Sequence, residues 1–117
     1  MDKAALSRFE SRLDLVIKEG RFKKLHGGAF GNAKQTRELK LNREGMLVYY
    51  DGQTPKGHLK LDKHCEVGTS SKTGTIFWVK AKDPKKSNKP RTWEFQDIDK
   101  NMQNVTDWVN ALAEFTQ

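Results

Sequence analysis

The stretch KKLHGGAFGNAKQTR, residues 23–37, gathers three glycines (Gly27, Gly28 and Gly31), one aromatic (Phe30) and four cations (Lys23, Lys24, Lys34 and Arg37). Glycines lack a Cβ, so a loop built on them can curl until successive backbone N–H groups face one anion. Cations beside such a loop add long-range attraction, with lysine acting as a point charge and arginine as a two-pronged donor. The chemistry these types offer is capture of an anion. Bond-making chemistry finds little support. His64 and Cys65 are adjacent and point to opposite faces of a strand, so they cannot share a metal. His26 and His58 lack partners at metal-ligand spacing, and GGAFGNAK fails as a nucleotide-binding P-loop because Asn32 and Ala33 separate Gly31 from Lys34. The chain therefore reads as a binding module, not an enzyme, with no cofactor and no metal.

The totals agree with that class. At 117 residues and 35% hydrophobic content the chain has room for one domain with one modest core. Its 22 Lys and Arg against 15 Asp and Glu leave a formal charge of +7, which favours polyanionic partners. The single cysteine, Cys65, cannot close an internal disulfide, which fits a reducing, cytoplasmic setting. No apolar run approaches the roughly 18 to 20 residues of a membrane span. The Met-Asp start is not a myristoylation site and EFTQ is not a prenylation motif. Membrane contact, if made, is expected to be peripheral and non-covalent, or supplied by a longer parent chain.

These residues need a frame to position them. Leu6, Phe9, Leu13 and Val16 or Ile17 recur at helical spacing, which predicts a short amphipathic helix over residues 2–14. A first strand runs from Val16 to the HGG glycines, and the loop closes near Gln35. TRELKL alternates, with Arg37, Leu39 and Leu41 in phase; MLVYY, HLKL, CEV, TIFWVKA and TWEFQ supply five more strands. NREG and DGQTPKG are turns, and KDPKKSNKPR is a basic loop. Val105, Trp108, Val109, Leu112 and Phe115 form one helical stripe, with Asp99 or Asn101 as the N-cap. Seven strands in meander order and one final helix imply a mainly β fold: a strongly bent antiparallel sheet, or two nearly orthogonal sheets, plugged at one end by the helix. Trp108 is expected to enter the core most deeply.

This pattern resembles the pleckstrin-homology (PH) domain family: EGRFKKL its first strand, RELKLNREGMLVYY its second and third, PKGHLKL its fourth, and VTDWVNALAEF its closing helix with one Trp. The resemblance covers about residues 17–116. It implies a seven-stranded, partly open barrel over 16–117, preceded by a helical extension over 1–15 outside the family pattern. Lipid-binding members hold an inositol phosphate between strands one and two, using a Lys late in strand one and a K-x-R near the start of strand two. Lys24 and Arg37 match the outer positions, while Gln35 stands at the middle one with Lys34 beside it. A Tyr ending strand three and a basic residue before the Gly of strand four correspond to Tyr49 and Lys56.

The resemblance implies a peripheral module that binds phosphoinositide head groups or other anionic lipids. The glycine-loop N–H groups would add to the pocket, and Phe30 would dip into the bilayer interface. Lys23, Lys34, Lys40 and Arg43 would strengthen binding if they share the pocket's face. The alternative is an adaptor domain on the same scaffold that binds a protein partner. Nucleic acid is disfavoured, because Phe77 or Trp78 and Trp93 are accounted for by core alternation, leaving no exposed stacking platform.

Overall fold

Seven strands follow the apolar alternation: β1 (Val16–His26), β2 (Ala33–Asn42), β3 (Met46–Asp51), β4 (Thr54–Lys60), β5 (Glu66–Thr69), β6 (Ile76–Asp83) and β7 (Lys89–Asp97). Helix α1 (Lys3–Ser11) precedes them and helix α2 (Met102–Ala113) follows. The computed structural model describes residues 3–26, 33–70 and 73–117. The strands form one antiparallel sheet in the order β4-β3-β2-β1-β7-β6-β5, so β4 and β5 are its free edges. Of the two arrangements the sequence allows, the single continuous sheet is the one adopted.

The strands turn a shared set of apolar side chains to one face. Phe22, Leu39, Leu41, Leu47, Leu59, Phe77, Val79 and Phe95 are buried together, and α2 covers them with Val105, Trp108 and Leu112. Trp108 is 1% exposed; its ring lies edge-on to Phe22 at 5.4 Å and stacks over Phe77 at 6.0 Å. Asn101 is the N-cap, its side chain accepting from the Asn104 N–H. Asp97, at the end of β7, fastens strand to helix: its carboxylate accepts from the N–H groups of Asp99 and Asn101 and from the Asn104 amide. At the β2–β3 turn Gly45 takes φ +80°, and a Cβ there would crowd Phe115 of the C-terminal turn.

Two expectations change. Helix α1 is shorter than residues 2–14, because Arg12 leaves helical geometry and a 3-10 turn (Leu13–Leu15) follows. Leu6 and Phe9 pack on Val48 and Tyr50 of the sheet's outer face, but Leu13 and Ile17 swing off the stripe and remain about half exposed. The basic loop is in fact a tight hairpin. Asp83 caps a 3-10 turn (Pro84–Lys86), accepting from the Lys85 N–H, and Ser87 and Asn88 turn the chain at φ 56° and 60°.

Candidate anion-binding site

The alternation that buries Phe22 also turns Lys24, two residues on, toward the concave face of the sheet. There it pairs across to Gln35 on one side and Phe95 on the other. Lys24 is only 5% exposed, and its Nζ lies 5.6 Å from the centre of the Tyr49 ring. Burial pushes its pKa below the ordinary lysine value, and the charges of Arg91, Arg37 and Lys85 push it further. Among the described residues no carboxylate ion-pairs with it.

Arg37 stands opposite Phe22 on β2, in phase with Leu39 and Leu41, and its side chain is 11% exposed. Gln35 is its positioning residue: the Gln35 Oε1 accepts from the Arg37 Nη2 at 2.6 Å, while Nη1 donates to the Thr36 carbonyl at 2.9 Å. Asp51 lies 3.9 Å from Nη1 and is largely solvated. The Arg37 Nε is buried with no hydrogen-bond partner among the described residues.

Tyr49 pairs with Leu39 and Gly57 and packs edge-on to Phe95 at 6.1 Å. It serves the core and faces Lys24 at once. Around its far side a cavity of about 20 Å³ is lined by Gly57, His58, Asp83, Lys85, Arg91 and Trp93.

The β6–β7 hairpin brings two cations that the resemblance did not assign. Arg91 continues the inward phase of Phe95 and Trp93, lies 4.6 Å over the Trp93 ring and donates to Asp83 at 3.1 Å. Burial works to raise the Asp83 pKa, but the Lys85 N–H and Arg91 outweigh it and hold the carboxyl below its usual value. Lys85 reaches the Lys56 carbonyl at 3.5 Å. Four cations (Lys24, Arg37, Lys85 and Arg91) thus share the open end of the barrel with two carboxylates, and Asp83 is already committed to Arg91. Such a set can hold several anionic oxygens at once.

The other expected residues divide. Lys56 is exposed beside the irregularity between Tyr49 and Tyr50 in the β3–β4 pairing, and it meets this group through its carbonyl. Lys34 stands opposite Leu25 in the ladder, and its side chain lies outside the described residues, as do Gly27, Gly28, Phe30 and Gly31. Lys40 is on the wrong face: three residues from Arg37, it points outward and lies 5.4 Å over the Tyr50 ring. Lys23, between two inward residues, also alternates outward. Arg43 follows the far end of β2, at the turn into β3. Phe77 and Trp93 are buried as core residues, and the Trp78 indole donates to the Thr69 carbonyl. Among the described residues no His, Cys, Asp and Glu group could hold a metal ion, and no helix is long and apolar enough to cross a membrane.

No family model matches the sequence, and no curated protein sequence matches it. Solved structures do match. The C-terminal PH domain of pleckstrin in complex with D-myo-Ins(1,2,3,5,6)P5 superposes with a TM-score of 0.66 at 20% identity, covering 87% of this chain and 96% of that one. The Slm1 PH domain in complex with inositol-4-phosphate gives 0.67 at 18% identity, covering 88% and 97%. The PH domain of human oxysterol-binding protein-related protein 11 gives 0.64 at 24% identity, covering 86% and 79%. Strand order, closing helix and these superpositions agree: the chain has the pleckstrin-homology fold.

Proposed function

We propose that the open end of the barrel binds a phosphorylated head group, and that the protein is a peripheral membrane module recognising phosphoinositides. The observation that carries this reading is Lys24, a buried ammonium facing three like charges and ion-paired with no carboxylate among the described residues. A buried cation in that setting is costly unless an anion arrives. Phosphate oxygens would be held by Lys24 and Lys85 as point charges and by Arg37 as a fork, with Arg91 beside them and Gln35 holding Arg37 in place. Lys56, Lys34 and the 27–31 glycine loop are assigned to the rim, where Phe30 would touch the bilayer. Two of the similar structures, from pleckstrin and Slm1, hold inositol phosphates, which supports the same ligand class here.

Liposome sedimentation across phosphoinositide head groups at physiological salt is the direct test. Enrichment on phosphoinositide vesicles over neutral lipid is expected, with loss on the double substitution Lys24→Glu and Arg37→Glu. Equal sedimentation with all vesicles would end the proposal.

A further inference from the structure

The sheet does not close. Its edge strand β4 passes β6, and on the outer side of that seam lies a cleft of about 400 Å³, separate from the small cavity beside Tyr49. Its size falls within the roughly 300 to 1,000 Å³ of small-molecule pockets, well above what a lone phosphate would fill. Met46 and Cys65 give it an apolar floor, with Cys65 8% exposed. Lys60, Lys82, His58 and His64 line its walls, against one carboxylate, Asp62. That carboxylate is already engaged, its Oδ1 accepting from the His64 N–H at 2.8 Å and lying 3.6 Å from the Cys65 Sγ. Lys60 donates to the Glu44 carbonyl, which anchors its ammonium at one end of the cleft, while Lys82 projects from β6 on the other wall.

An apolar floor under cationic walls fits one class of ligand. We infer that the β4–β6 seam is a second binding site, for a small amphiphilic anion: a carboxylate or phosphate head between Lys82 and Lys60, with a short hydrocarbon portion over Met46 and Cys65. The head satisfies charges that Asp62 leaves uncompensated, and the tail removes apolar floor from water. The site shares only His58 with the cavity beside Tyr49, so its occupancy is separable from head-group capture at the barrel's open end.

Cys65 is the one cysteine of the chain and reports on the cleft directly. The 117-residue protein is titrated with octanoate below its micelle concentration while the alkylation rate of Cys65 is followed, with inorganic phosphate and octanol as controls. Octanoate is expected to slow alkylation saturably, by about fivefold or more, whereas each control changes it less than twofold. Lys82→Glu, and Lys82→Met as a variant that only removes charge, should raise the octanoate concentration needed at least tenfold; Lys24→Glu should leave it within twofold. Amide spectra of each variant establish that the fold persists. The inference is overturned by absence of saturable protection, by octanol protecting as well as octanoate, by insensitivity to both Lys82 variants, or by an acidic peptide protecting Cys65 where octanoate does not.

Discussion

The Tyr49 hydroxyl occupies the place where a Cβ on Gly57 would stand. The two residues are partners in the β3–β4 ladder, so the bare backbone at Gly57 is what makes room for the Tyr49 ring, whose centre lies 5.6 Å from the Lys24 Nζ. Gly57→Ala should therefore displace the ring, costing roughly 1–3 kcal/mol by overpacking and weakening head-group binding together. Denaturant unfolding and liposome sedimentation on the same variant check both. Retention of full stability would show that Tyr49 moves aside without penalty.

On the proposed reading, Lys24 links ligand capture to stability with opposite signs. Replacing the buried ammonium by an apolar side chain of similar length, Lys24→Met, should stabilise the unliganded protein by roughly 1 kcal/mol while abolishing head-group binding. A denaturation midpoint that falls would mean that the ammonium is better solvated than its burial indicates.

The same residue sets a pH dependence. Its folded-state pKa lies below 10.5, so the folded protein releases this proton at lower pH than the unfolded chain does. The penalty for the charged form is fully present below the folded pKa. It is relieved as pH rises from there toward 10.5, so unliganded stability from this group increases across that window. Affinity for a phosphorylated head group runs the other way, falling as Lys24 loses its charge. Binding measured between pH 7 and 10 should decline earlier than titration of exposed lysines predicts, and the unliganded stability of Lys24→Met should lack the rise with pH that the parent shows.

Asp51 lies 3.9 Å from the Arg37 guanidinium, so on the proposed reading it would compete with a head group for Arg37. Because Asp51 is largely exposed, the pair contributes on the order of 0 to 1 kcal/mol, and Asp51→Asn should tighten head-group binding by no more than about fivefold. Isothermal titration with a soluble inositol phosphate gives the number, and weaker binding would assign Asp51 a positioning role instead.

Helix α1 can be tested through Tyr50. Burial first, then the charges of Glu10 and Glu38, push the Tyr50 phenol up to about 12. Phe9→Ala opens the packing over Tyr50 and should bring its ultraviolet titration back toward 10, with a loss of roughly 3 kcal/mol in stability. An unchanged titration would mean that the sheet alone keeps Tyr50 dry.

Much of this architecture was legible because burial imposes simple periods. TRELKL and TWEFQ alternate as β2 and β7 do, and the Val105–Trp108–Leu112 spacing placed α2 and its plug correctly. Lys24 and Arg37 were assigned from the family resemblance, and parity alone would have separated Lys40 from Arg37. Arg91 was just as legible, being two residues from Trp93 and four from Phe95. It was missed because Pro84, Ser87, Asn88 and Pro90 resemble a loop, and a hairpin closed by an aspartate cap leaves no mark in a hydrophobic pattern. The irregularity beside Lys56 is likewise invisible to residue counting, since one extra residue changes which way every following side chain points. Leu13 and Ile17 kept helical spacing, yet the chain broke helical geometry at Arg12, a backbone event that spacing does not encode.

The contact between Gly45 and Phe115 has a practical consequence for handling this protein. That turn and Lys24 lie toward opposite ends of β2, a strand spanning roughly 30 Å, so the last residues of the chain emerge on the side turned away from any lipid captured near Lys24. A fluorescent tag or surface tether joined after Gln117 would leave the end proposed to capture lipid unobstructed, whereas the same cargo spliced into the β6–β7 hairpin that carries Lys85 and Arg91 would crowd the proposed site.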